Sequence, residues 1–96
     1  MSCFMKSISR ETLEQWKTNQ AKFQLIDVRT PEEHYTYNIG GKLMPLDELI
    51  RRSNEIKKDI PVVFYCRKGI RSQIAIQRLL EIFPDGDFYN LSGGIG

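Results

Sequence analysis

Cys66 is the residue best placed to do chemistry. It closes the apolar run Val62-Val63-Phe64-Tyr65 and opens the segment Arg67-Lys68-Gly69-Ile70-Arg71-Ser72. A thiol acts as a nucleophile only in its thiolate form, which nearby cations and the amino end of a helix both favour. Arg67, Lys68 and Arg71 bring three cations within five positions of the sulfur. Gly69 admits backbone geometry that a side chain would hinder, so backbone N–H groups can turn inward as an anion cradle. The segment therefore predicts a depressed thiol pKa, an anionic sulfur held by the loop and an anionic substrate. The plainer alternative is a buried structural cysteine at a strand end. The order strand, loop, helix and the three cations weigh against it.

To present the sulfur in this way, a strand must deliver it and a helix must receive it. Residues 62–66 form an unbroken β-branched and aromatic run, the pattern of a parallel strand buried on both faces. A helix is predicted from Ser72 to about Phe83, with Ile74, Ala75, Leu79, Ile82 and Phe83 inward and Arg78 and Glu81 outside. Residues 23–28 read as a second strand, and residues 88–91 as a third after the break Pro84-Asp85-Gly86. Residues 9–19 read as a helix capped by Ser9, with Leu13 and Trp16 on one face and Glu11 and Glu14 near its positive end. Pro31 opens a short helix carrying Glu32 and Glu33, and Gly40-Gly41 ends it. Residues 46–56 predict a further helix with Leu46, Leu49 and Ile50 inward. This alternation predicts one α/β domain over residues 1–96, three-layered, with a mainly parallel central sheet flanked by helices. Ligands of such sheets bind beyond the carboxyl ends of the strands, where Asp27 and Arg29 join Cys66.

Composition narrows the function classes. The chain has 96 residues, 41% hydrophobic and 27% charged, as in an ordinary soluble globule. A net charge of +2 is too small for the dense basic face that nucleic acid demands. The absence of a long apolar run argues against a membrane span. The opening residues lack the basic-then-apolar layout of a signal peptide, so a cytoplasmic location is expected. Cys3 and Cys66 lie far apart without metal-ligand spacing; neither a disulfide framework nor a metal or other cofactor is expected. Cys3 reads as a free terminal thiol. His34, between Glu33 and Tyr35, reads as a surface residue without a link to Cys66. Trp16 is expected to pack the first helix, and Arg51, Arg52, Lys57 and Lys58 to be solvated charges.

Three segments together resemble the rhodanese family. Cys66-Arg67-Lys68-Gly69-Ile70-Arg71-Ser72 fits the family's active-site form C-x-x-G-x-R-S, and its start is similar to the C-R-K-G loop of thiosulfate-using members. Leu25-Ile26-Asp27-Val28-Arg29 and Glu33 match L-I-D-V-R-x-x-x-E, and Asn90-Leu91-Ser92-Gly93-Gly94 matches the closing N-L-x-G-G. The resemblance implies a rhodanese-like fold and a single-domain sulfurtransferase. In that reaction Cys66 takes a sulfane sulfur from a donor such as thiosulfate and holds it as a persulfide. It then passes the sulfur to a thiol, to cyanide or to a sulfur-accepting protein. The resemblance implies that Cys66 is the nucleophile and that the loop Arg67, Lys68, Gly69, Ile70, Arg71 and Ser72 binds the substrate sulfur. Asp27 and Arg29 would be polar supports, and Arg71 a brace against Asp27 or nearby carbonyls. The chain departs from the family's usual G-H-I-P-G-A-x-N-I-P at Tyr37-Asn38-Ile39-Gly40-Gly41-Lys42-Leu43-Met44-Pro45. Asn38 stands for the histidine, Gly40 for the proline and Lys42 for the alanine, with one residue fewer.

Two other readings remain open at this point. A cysteine phosphatase or arsenate reductase also cradles an anion behind a cysteine, but with C-x5-R, whereas Cys66 to Arg71 is C-x4-R. The shorter ring is too tight to wrap a tetrahedral oxyanion, yet it can hold one terminal sulfur. A rhodanese-like module that only binds a protein partner is the other reading, and retention of the cysteine counts against it.

Overall fold

The computed structural model describes residues 5–96, so Cys3 lies outside the described residues. In chain order the elements are β1 (Ser7–Ile8), α1 (Arg10–Thr18), β2 (Gln24–Asp27), α2 (Pro31–Thr36) and β3 (Lys42–Leu43). Two single-turn 3-10 segments follow, Leu46–Glu48 and Ser53–Glu55, and then β4 (Val62–Tyr65), α3 (Ile70–Ile82) and β5 (Phe88–Leu91). The five strands form one sheet in the order β1-β5-β4-β2-β3, and every pairing is parallel. This is the α/β architecture the alternation of elements predicted.

β4 lies at the centre of the sheet and all four of its residues are buried. Successive side chains of a strand point to opposite faces, and here each face has its own core. Val62, Phe64 and Cys66 pack with Ile26, Phe88 and the α3 residues Ala75, Ile76 and Leu79. Val63 and Tyr65 pack on the other face with Leu25, Leu91 and Leu13 of α1. Trp16 closes that face with its ring 5.6 Å from both Phe23 and Tyr89. Helices cover both faces, which explains why β4 reads as a continuous apolar run.

α1 starts as its sequence dictates: Ser9 accepts the Thr12 N–H at 3.0 Å. α2 opens with a capping box, in which Thr30 accepts the Glu33 N–H and Glu33 reaches back to the Thr30 N–H at 3.0 Å.

Three expectations are corrected. The helix expected over 46–56 is instead two 3-10 turns, and Ile50 is exposed rather than inward. The anchors Leu46 and Leu49 recur at a three-residue spacing suited to 3-10 geometry, and Ser53 and Asn54 are poor continuers of an α-helix. Arg52 then ties the two turns together through Glu48 at 3.0 Å and Glu55 at 2.9 Å, so it is not a freely solvated charge. α3 begins at Ile70, two residues before Ser72, because Gly69 supplies the turn into it. Its inward stripe is Ser72, Ala75, Ile76 and Leu79, which leaves Ile82 exposed at the helix end.

Candidate active site

Cys66 is the first residue past β4 and is 1% exposed. The chain turns through Arg67 and Lys68 to Gly69, whose φ of 91° lies in the left-handed region that favours glycine. Gly69 occupies the N-cap position of α3 yet has no side chain to accept the helix's free amides. The cysteine sulfur accepts them instead. Gly69 N–H donates to Sγ at 3.0 Å and Ser72 N–H at 3.4 Å, and Ser72 Oγ lies 3.5 Å from the sulfur. Burial by itself would push the Cys66 thiol up. The Ser72 hydroxyl and the amides of Ser72, Gly69 and Lys68 outweigh it, and the thiol lies below its ordinary value.

The outer side of the loop is held by the residues that follow β5. Ile95 N–H donates to the Cys66 carbonyl at 3.1 Å and Gly96 N–H to the Arg67 carbonyl at 2.9 Å. This close approach needs Gly94: it has a φ of 67°, and a Cβ there would lie 2.5 Å from the Cys66 carbonyl oxygen. With its carbonyls occupied from outside, the loop keeps its amides for the sulfur.

The other residues singled out in the sequence divide into three groups, with Arg71 apart from all of them. Gly69 and Ser72 are buried and touch Cys66 directly. Arg67, Lys68 and Ile70 are exposed, with Arg67 lining a cavity of about 440 Å³ together with Arg29, Glu33, Tyr37 and Ile95. Asp27 and Arg29 form a cluster of their own one strand away. Arg29 Nη2 donates to Asp27 Oδ2 at 2.9 Å and to the Tyr37 carbonyl, and its guanidinium lies 5.6 Å from the Tyr65 ring centre. Burial would push the Asp27 carboxyl up, but hydrogen bonds from Arg29 and His34 hold it below its ordinary value. Arg71 does not brace Asp27 as expected. It forms a two-pronged pair with Glu33, at 2.7 and 2.9 Å, which fastens α2 to the first turn of α3. The bond from Arg71 is the main reason the Glu33 carboxyl is lowered to about 2.

His34 is a second correction. Its side chain is 13% exposed, and Nδ1 donates to Asp27 Oδ2 at 2.8 Å, so it belongs to the buried cluster. No local pattern gives this away, because the partners lie on different elements. Asn90, to which the closing motif assigns no role, is 5% exposed and accepts the Ser72 hydroxyl. A signal was present, since Asn90 is the sole amide in the otherwise apolar and aromatic strand Phe88-Tyr89-Asn90-Leu91. The loop that departs from the resembled pattern also has a local cause. Gly40 has a φ of 97°, which a proline cannot adopt, and Asn38 accepts its N–H at 2.8 Å.

Among the described residues, no helix is long and apolar enough to cross a membrane. Residues 9–96 match the rhodanese-like domain family. The chain is 37% identical over 92 residues to a protein of Allochromatium vinosum named sulfurtransferase, covering 95% of this chain and 85% of that one. It is 42% identical over 86 residues to the Bacillus subtilis protein YqhL, covering 86% of this chain but 66% of that relative's length. The crystal structure of a rhodanese-like domain protein from Staphylococcus aureus superimposes with a TM-score of 0.83 at 31% identity, covering 94% of this chain and 87% of that one. With a match that takes in the Asp27 strand, the Cys66 loop and the closing glycines alike, the chain belongs to the rhodanese-like domain family.

Proposed function

We propose that the protein is a sulfurtransferase that carries sulfane sulfur as a persulfide on Cys66. The observation that carries this reading is a nearly buried sulfur that accepts from two backbone amides and lies against a hydroxyl, with its thiol held below the ordinary value. The Allochromatium relative's name supports the same class of reaction.

In the first half-reaction the Cys66 thiolate attacks the outer sulfur of thiosulfate. The sulfur–sulfur bond of the donor breaks, sulfite departs with the electron pair, and a Cys66 persulfide remains. In the second, a thiolate or cyanide attacks the terminal sulfur; the persulfide bond breaks and the Cys66 thiolate returns. No outside oxidant or reductant is needed. The loop amides receive the negative charge in each resting form, which a low-polarity site makes more effective. Arg67 and Lys68, exposed at the mouth, are placed to attract an anionic donor. Tyr37 and Ile70 add exposed apolar surface at the same end of the sheet, suited to a protein that accepts the sulfur. Phosphoryl or arsenate chemistry is less well served, because Glu33 occupies Arg71 and keeps it from clamping a tetrahedral oxyanion.

Intact-mass measurement after thiosulfate treatment tests the reading. The wild type is expected to gain one sulfur that reductant removes, and Cys66→Ser to gain none while keeping its fold. A wild type that gains no sulfur, or a Cys66→Ser variant that still gains it, overturns the assignment.

A further inference from the structure

The Ser72 hydroxyl has one proton and two neighbours that can claim it. Its oxygen lies 3.5 Å from Cys66 Sγ, and on its other side it donates to Asn90 Oδ1. While the sulfur is a neutral thiol, both demands are met: S–H donates to Ser72 Oγ, and Ser72 O–H donates to Asn90. Once the sulfur is ionised it can only accept, and it competes with Asn90 for that single proton. All three residues are at least 95% buried, so bulk water is a poor substitute partner.

A carboxamide can resolve the competition where a carboxylate cannot. Half a turn about the last torsion of Asn90 exchanges Oδ1 with Nδ2, which faces the Gly69 turn. Nδ2–H then donates to Ser72 Oγ, and the hydroxyl proton is free to point at sulfur. In each state of the sulfur the Ser72 hydroxyl then has both a donor and an acceptor among the same three groups.

We propose that Asn90 is a positioning residue that sets the direction of the Ser72 hydroxyl, turning it toward Cys66 when the sulfur carries negative charge. Asn90 acts through Ser72 and does not touch the sulfur. This rests on the reading of Cys66 as a sulfur carrier, whose thiolate must form in each cycle. It gives a task to the one amide in β5, a residue the transfer chemistry leaves unused.

The test is the pH profile of iodoacetamide labelling of Cys66 in the full chain, with melting curves to confirm folding. Asn90→Asp keeps the shape of the side chain but as a carboxylate can only accept the Ser72 proton, and its inflection should rise by about one pH unit, a tenfold fall in the thiol's acidity constant. Asn90→Leu withdraws the rival acceptor, and its inflection should stay within about 0.3 unit of the wild type. In a Ser72→Ala background the effect of Asn90→Asp should fall below half, since the intermediary is gone. Asn90→Asp also adds a carboxylate whose direct repulsion of the thiolate does not pass through Ser72, so that part of the shift survives in the Ser72→Ala background. The other charged groups around the sulfur (Arg67 and Lys68, Arg71 with Glu33, Asp27 with Arg29) are the same in every variant. The proposal is overturned by a folded Asn90→Asp with the wild-type inflection. It is also overturned if Asn90→Leu rises as far as Asn90→Asp, or if the shift survives in full without Ser72. Should Asn90→Asp fail to fold, the decision passes to the other two: Ser72→Ala must raise the inflection and Asn90→Leu must not, and the reverse overturns the idea. Labelling needs no sulfur donor, so this result is separable from failure of the transfer reading, which the thiosulfate mass shift alone decides.

Discussion

The pair between Glu33 and Arg71 makes a measurable claim about stability. It joins α2 to α3 across 38 residues of sequence, and its two members are about a third exposed. Glu33→Gln is the cleanest perturbation. Glutamine still serves the third position of a capping box and can still accept one bond from Arg71, so the charge is the main thing removed. The carboxyl falls from 4.5 to about 2 on folding, mainly through the bond from Arg71. Taken at face value such a shift would correspond to about 3 kcal/mol, but solvent screening at this exposure reduces it to about 1–2 kcal/mol. For a domain of this length that lowers the melting temperature by roughly 4–16 °C.

The sign of the pH dependence follows from the lowered carboxyl. The unfolded chain binds the Glu33 proton at a higher pH than the folded one, so the contribution is complete above about pH 5. It is lost as the pH falls through 4.5 toward about 2. Urea midpoints of wild type and Glu33→Gln, measured at intervals between pH 7 and pH 3, should therefore converge on acidification. A gap that stays constant with pH would mean that lost packing, not lost charge, separates the two proteins. The absence of any gap at pH 7 would mean that the pair adds nothing to stability. Either result refutes the reasoning.

Two further outcomes follow from the same end of the sheet. Changing Arg67 and Lys68 together to alanine should raise the Michaelis constant for thiosulfate roughly tenfold, equivalent to about 1.4 kcal/mol, and added salt should weaken the wild type more than the double variant; an unchanged constant at low ionic strength would remove these cations from the donor site. Gly94→Ala should cost about 1–3 kcal/mol by melting and slow Cys66 labelling at neutral pH, because its Cβ would lie 2.5 Å from the Cys66 carbonyl oxygen; a variant with wild-type melting and labelling would show that the closing residues do not hold the loop.

Much of the architecture was legible because it is written locally. β4 declares itself through an unbroken apolar run, α1 through Ser9 and its acidic first turn, and α2 through Pro31 followed by Glu33. The edge strands β1 and β3 are two residues each, too short for any periodicity, and exist only through pairing with Asn90 and Leu91 or with Ile26 and Asp27. The stretch from Leu46 to Ile56 misled because apolar residues spaced by three suit either kind of helix. At the site, sequence order yielded Cys66, Gly69 and the cations, which lie within six consecutive residues. It did not yield His34 against Asp27, Glu33 against Arg71, or Asn90 against Ser72. Those partners come from different elements, and the order of strands in the sheet decides which elements meet.

The loop also shows why local rules fail where chemistry is concentrated. Gly69 has the left-handed φ that glycine adopts freely, but it brings no side-chain acceptor to the start of a helix of 13 residues, where a serine or aspartate cap commonly satisfies a free amide. A capping side chain would compete for the Ser72 N–H that now reaches the sulfur. Glycine leaves the position without an acceptor of its own, so the Cys66 sulfur becomes the group that caps α3. The same two bonds therefore appear on two sides of the argument: they complete the helix start, and they stabilise negative charge on the sulfur. A cap residue with no acceptor of its own is, in this setting, what couples the folding of α3 to the state of the thiol.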